Sequence, residues 1–73
     1  MASRRTTEWA ATPLSDRELW ACALKVEQLH GNGAPQFIAE RIGALALAGD
    51  MAGLETWRAI AARVDERRRA ARN

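Results

Sequence analysis

Leu45-Ala46-Leu47-Ala48-Gly49-Asp50-Met51-Ala52-Gly53-Leu54 is the stretch on which the fold turns. An apolar, alanine-rich run stops at Gly49, a residue free to take the left-handed conformation that closes a helix. Asp50 follows at once. Its carboxylate accepts from the free N–H groups of a new helix, and its charge suits the positive end of the helix dipole. A stop and a start in two residues leave room only for a sharp helix–helix corner or an antiparallel return.

Upstream, the spacing predicts a helix over about 35–48. Pro35 sits in its first turn, where a missing N–H costs nothing. Phe37, Ile38, Ile42 and Leu45 share one face, while Gln36, Glu40 and Gly43 look away. Downstream, a helix over about 51–68 turns Leu54, Trp57, Ile60, Ala61 and Val64 inward. Gly53 lies on the same side, where a glycine admits a neighbouring backbone at a propensity cost of roughly 1 kcal/mol. Glu55, Arg58, Arg63 and Asp65 are expected to face water. A first helix over about 16–30 has the clearest start. Ser15 and Glu18 are spaced as a capping box, and Leu14 and Leu19 as a hydrophobic staple. It should close at His30-Gly31, with Gly31 left-handed and Asn32-Gly33 a tight connection. The expectation is an all-α, compact three-helix domain with short Gly-containing turns. Residues 1–13 form a flexible N-terminal arm, 14–66 the helical domain and 67–73 a basic C-terminal tail.

With 73 residues and 48% hydrophobic content, the chain is one small globular domain. Alanine makes up much of that fraction, so the core rests on Leu19, Trp20, Leu24, Val26, Leu29, Phe37, Ile38, Ile42, Leu45, Leu54, Trp57, Ile60 and Val64. Such a core supplies little net stability, which favours a partner or a second copy. The net charge of +2 sits on the ends: the 14–64 body is close to neutral, and Arg67, Arg68, Arg69 and Arg72 crowd the tail. The single cysteine, Cys22, excludes an intrachain disulfide and a cysteine-based zinc site and reads as a small core residue. Without a signal-like start or an apolar run long enough for a bilayer, a cytoplasmic location with no membrane span is expected.

From Trp20 to Arg63 the chain carries Trp20, His30-Gly31, Ile38-Ala39-Glu40-Arg41-Ile42, Gly49-Asp50, Gly53, Trp57 and Ile60-Ala61. In these residues it resembles a family of short uncharacterised bacterial proteins, a domain of unknown function. The resemblance covers about three-fifths of the chain and implies no activity.

Few residues carry chemistry. His30 projects near the centre of the apolar face of the first helix, as a helix-end donor to a carbonyl or as a contact for a partner. Glu27 and His30 have a spacing found in di-iron bundles, but one chain lacks the remaining ligands. Cys22 and His30 are separated by roughly 12 Å along one helix and form no dyad. Arg41 points between Phe37 and Leu45. It is expected to pair with Asp50 or a first-helix glutamate, or else to anchor an interface. No catalytic, metal or cofactor residues are assigned. The reading is a non-catalytic protein–protein interaction module, an accessory subunit or regulator. Trp9, Trp20, His30, Arg41 and Trp57 are the candidate partner contacts. The alternative is a weak nucleic-acid-binding regulator that uses the last two helices as a helix-turn-helix-like pair. Arg67, Arg68, Arg69 and Arg72 would then contact phosphates.

Overall fold

Helix α1 (Asp16–His30) opens on the capping box. The Glu18 N–H donates to Ser15 Oγ at 3.1 Å, and the Ser15 N–H donates back to Glu18 Oε1 at 2.8 Å. In the computed structural model residues 14–72 are described. The arm 1–13, with the candidate Trp9, lies outside them, as does Asn73. After α1 come a single 3-10 turn (Gly31–Gly33), helix α2 (Ala34–Ala48) and helix α3 (Met51–Arg72). Every element among the described residues is helical. The expected tight connection at Asn32-Gly33 is itself a helical turn, so α1, the turn and α2 form one joined stretch. The fold is two helical stretches meeting at Gly49-Asp50.

Gly31 does adopt a positive φ of 54°, but with ψ of −127° it lies outside the left-handed helical region expected of it. Its N–H still donates to the Glu27 carbonyl, closing α1, and the chain re-enters helix within one turn. Gly49 behaves as expected, at φ 74° and ψ 18°. Its N–H donates to Ala46 O at 3.1 Å and the Asp50 N–H to Leu45 O at 3.0 Å, the two bonds of a Schellman closure. Asp50 then caps α3, Oδ1 accepting from the Gly53 N–H at 2.9 Å. One residue thus ends α2 and starts α3. Gly53 is kept small by that cap rather than by an approaching backbone. A Cβ there would stand 2.7 Å from Asp50 Oδ2 and 3.1 Å from Leu45 Cδ2.

Both α1 and α2 pack chiefly on α3. The core is Ala23 and Val26 of α1, Ala34 and Ile38 of α2, and Ile60 and Val64 of α3. Leu54 is buried nearer the corner, and Leu19, Cys22, Phe37, Ile42, Trp57 and Ala61 pack around the core's edge. Two expected core residues are elsewhere. Leu24 and Leu29 are exposed, Leu29 by 66%. Only one helix covers α1 extensively, so a narrow stripe of it is buried and both flanks stay wet. The expected compact body is instead elongated, 48 × 26 × 17 Å. Helix α3 extends it by running on through the arginine tail to Arg72.

Candidate functional site

Four side chains from three helices line up on the surface. The His30 ring at the end of α1 stacks on Phe37 of α2, with centroids 3.9 Å apart and planes 16° from parallel. Phe37 meets the edge of Trp57 of α3 at 5.9 Å and 71°. The Arg41 guanidinium lies over the Trp57 ring at 5.6 Å. His30 and Arg41 are exposed, and the two rings beneath them are half-buried.

Local structure makes this row. The 3-10 turn brings the end of α1 over the first turn of α2, which sets His30 on Phe37. Phe37 and Arg41 are four residues apart and so share one flank of α2. Trp57 rises from α3 between them. Edge-on and cation–π contacts of this kind add on the order of 0.5–1.5 kcal/mol each.

Three expectations change here. His30 is not buried on the apolar face and makes no hydrogen bond among the described residues; its partner is the Phe37 ring. Arg41 forms no ion pair with Asp50 or with a glutamate of α1 among the described residues. Its guanidinium lies over the π face of Trp57 instead. Trp20 lies apart from the row, under the guanidinium of Arg63 at 5.4 Å. Arg63 does not face water as expected: its side chain is only 24% exposed, paired with Asp16 across the α1–α3 seam.

A second pair, Arg67 with Glu27, closes the same seam one turn further along α3. Arg69 pairs with Asp65 at 2.8 Å within α3. Two of the four candidate phosphate contacts are therefore engaged. No ion pair involves Arg68 or Arg72 among the described residues. Glu27 is turned to Arg67, which removes it from any metal site with His30. Cys22 is half-buried against the core.

Phe37 is the residue that sequence reading missed as part of a site. Periodicity places it in the core, and only its four-residue spacing from Arg41 points to a shared exposed flank.

The fold and site define a small all-helical domain with an aromatic and cationic surface row. A model for a family of unknown function (DUF6961) matches residues 15–71, and the chain belongs to that family. The match spans the whole segment that carried the resemblance. No curated protein and no solved structure matches the chain. Among the described residues no helix is long and apolar enough to cross a membrane.

Proposed function

We propose that this chain is a small non-catalytic protein–protein interaction module, an accessory subunit or regulator. In this reading it meets its partner through His30, Phe37, Arg41 and Trp57. The observation that supports this is the row itself: tryptophan and arginine are the residues most often found at binding hot spots, and here they are already ordered on the surface. Ordering by mutual stacking lowers the entropy lost when a partner closes over them. Residues that could have suggested catalysis have structural duties instead: Asp50 and Glu18 cap helices and Glu27 holds Arg67.

The test is affinity purification of the tagged full chain from the cell that encodes it, with quantitative comparison against His30→Ala/Arg41→Ala. Both positions are exposed, and far-UV circular dichroism confirms that the double variant is folded. A protein recovered with the wild type and lost at least tenfold from the variant supports the reading; equal recovery of every protein overturns it. Micromolar binding to mixed duplex DNA at moderate salt would overturn it as well.

A further inference from the structure

From Ile42 to Leu54 the only ionisable side chain is Asp50. This uncharged segment is the α2–α3 corner, and it is apolar on its outside. Leu47 is 92% exposed and Met51 61%, with Ala44, Ala48 and Ala52 exposed around them. Scattered exposed leucines need no account, but here two large apolar side chains flank one corner.

A complementary feature lies on α3 beyond the α2 N-terminus. A groove of about 240 Å³ has Pro35, Ile38, Ala61 and Val64 as its apolar lining, with Asp65 and Arg68 at its rim. Its volume is many times that needed for one water. Asp65 is already paired with Arg69. Among the described residues Arg68 has no ion pair, so the groove presents an apolar floor and one free positive charge. The corner presents apolar side chains and one negative charge. Asp50 uses Oδ1 for its cap and has no ion pair among the described residues. The two surfaces match in polarity and in charge.

They cannot meet within one molecule. Met51 and Arg68 stand on one helix, seventeen residues or roughly 25 Å apart. We infer that the corner of one chain docks in the groove of a second copy, Leu47 and Met51 on the apolar floor and Asp50 against Arg68. The contact joins two different surfaces, so it is head-to-tail and builds rings or open chains rather than closed two-fold dimers. With so small a contact the affinity is weak, on the order of 0.1 mM. This inference rests on the interaction-module reading, but it uses a surface separate from the aromatic row.

Sedimentation equilibrium of the full chain tests it, from about 10 μM to about 1 mM so as to bracket that affinity. The wild-type mass should rise above the 8.0 kDa of one chain. A corner variant, Leu47→Asp/Met51→Asp, and a groove variant, Arg68→Glu, should each remain at one chain. Mixed in equal amounts they should pair, because one keeps an intact groove and the other an intact corner, and growth should stop at two chains. Asp50→Asn, which preserves the cap, should weaken assembly about tenfold. Far-UV circular dichroism confirms that each variant is folded. The inference is overturned by a wild type that stays at 8.0 kDa, by variants that assemble like the wild type, or by a mixture that does not pair. A monomeric result here leaves the loss of a partner from His30→Ala/Arg41→Ala unaffected, so the two readings fail separately.

Discussion

Replacing a mid-helix glycine by alanine ordinarily stabilises a protein by about 1 kcal/mol, because alanine loses less backbone freedom and shields the helix. This chain offers one such glycine, Gly43, and a second, Gly53, in the first turn of α3, and the structure gives them different outcomes. At Gly43 a Cβ meets nothing within 4 Å, so Gly43→Ala should stabilise by the full ~1 kcal/mol. At Gly53 the Cβ would stand 2.7 Å from Asp50 Oδ2 and 3.1 Å from Leu45 Cδ2. The carboxylate must swing away, which forfeits an N-cap worth about 1 kcal/mol, and Leu45 must shift in a half-buried site. The propensity gain is cancelled, and Gly53→Ala should come out between neutral and about 1 kcal/mol destabilising. Thermal unfolding followed by far-UV circular dichroism resolves this, since 1 kcal/mol moves Tm by about 4–8 °C in a domain of this size. The same Gly53→Ala change made in an Asp50→Ala background, where no carboxylate blocks the site, should recover most of the missing gain. The reasoning is refuted if Gly53→Ala stabilises as much as Gly43→Ala, or if the Asp50→Ala background makes no difference.

Three further outcomes follow from other ends and seams. Gly49→Ala should cost about 1–2 kcal/mol in the same unfolding assay, because its φ of 74° forces a Cβ against the following carbonyl; Gly49→Asn should cost less, asparagine tolerating that region better. The Ser15 backbone N–H, and then the Ser15 hydroxyl, hold the Glu18 carboxyl below its ordinary value near 4.5. A lowered pKa in the folded state means a contribution that is present above the unfolded value and lost as pH falls through the folded one. Glu18→Gln should therefore differ from wild type at neutral pH, with the gap closing below pH 4.5; a gap independent of pH would contradict the cap. Arg67→Ala should cost up to about 1 kcal/mol, and less at high salt, through loss of the Glu27 pair. Arg72→Ala should cost nothing measurable.

Helix ends were the most legible part of the sequence, because caps are local. Ser15 with Glu18 and Gly49 with Asp50 satisfy backbone groups within a few residues, and Pro35 removes an N–H that would have had no partner, so the chain announces all three without reference to the fold. What periodicity could not supply was the number of neighbours each helix has. Leu24 and Leu29 fall within a broad apolar arc, yet α1 has one extensive neighbour, and burial narrows to Ala23 and Val26. The candidate site was half visible for the same reason. His30 and Arg41 stand out as polar residues on apolar faces and Trp57 as a large ring at a small core's edge, whereas their joining through Phe37 depends on the 3-10 turn that carries α1 directly into α2. Arg63 shows the converse: its position on the helix wheel reads as solvent, but it lies over the Trp20 ring and pairs with Asp16, both of α1. Long-range pairs of this kind leave no periodic trace.

Whether a partner sits on the aromatic and cationic row is decided by placing a photoreactive residue at position 30 and cross-linking in the cell that encodes the protein. The same residue at position 28, exposed on the same helix but pointing away from Phe37, serves as the reference. The account predicts one predominant adduct from position 30 that is absent from position 28 and is lost when Arg41→Ala is added. Adducts that are the same from both positions, or a position-30 adduct indifferent to Arg41→Ala, would contradict it.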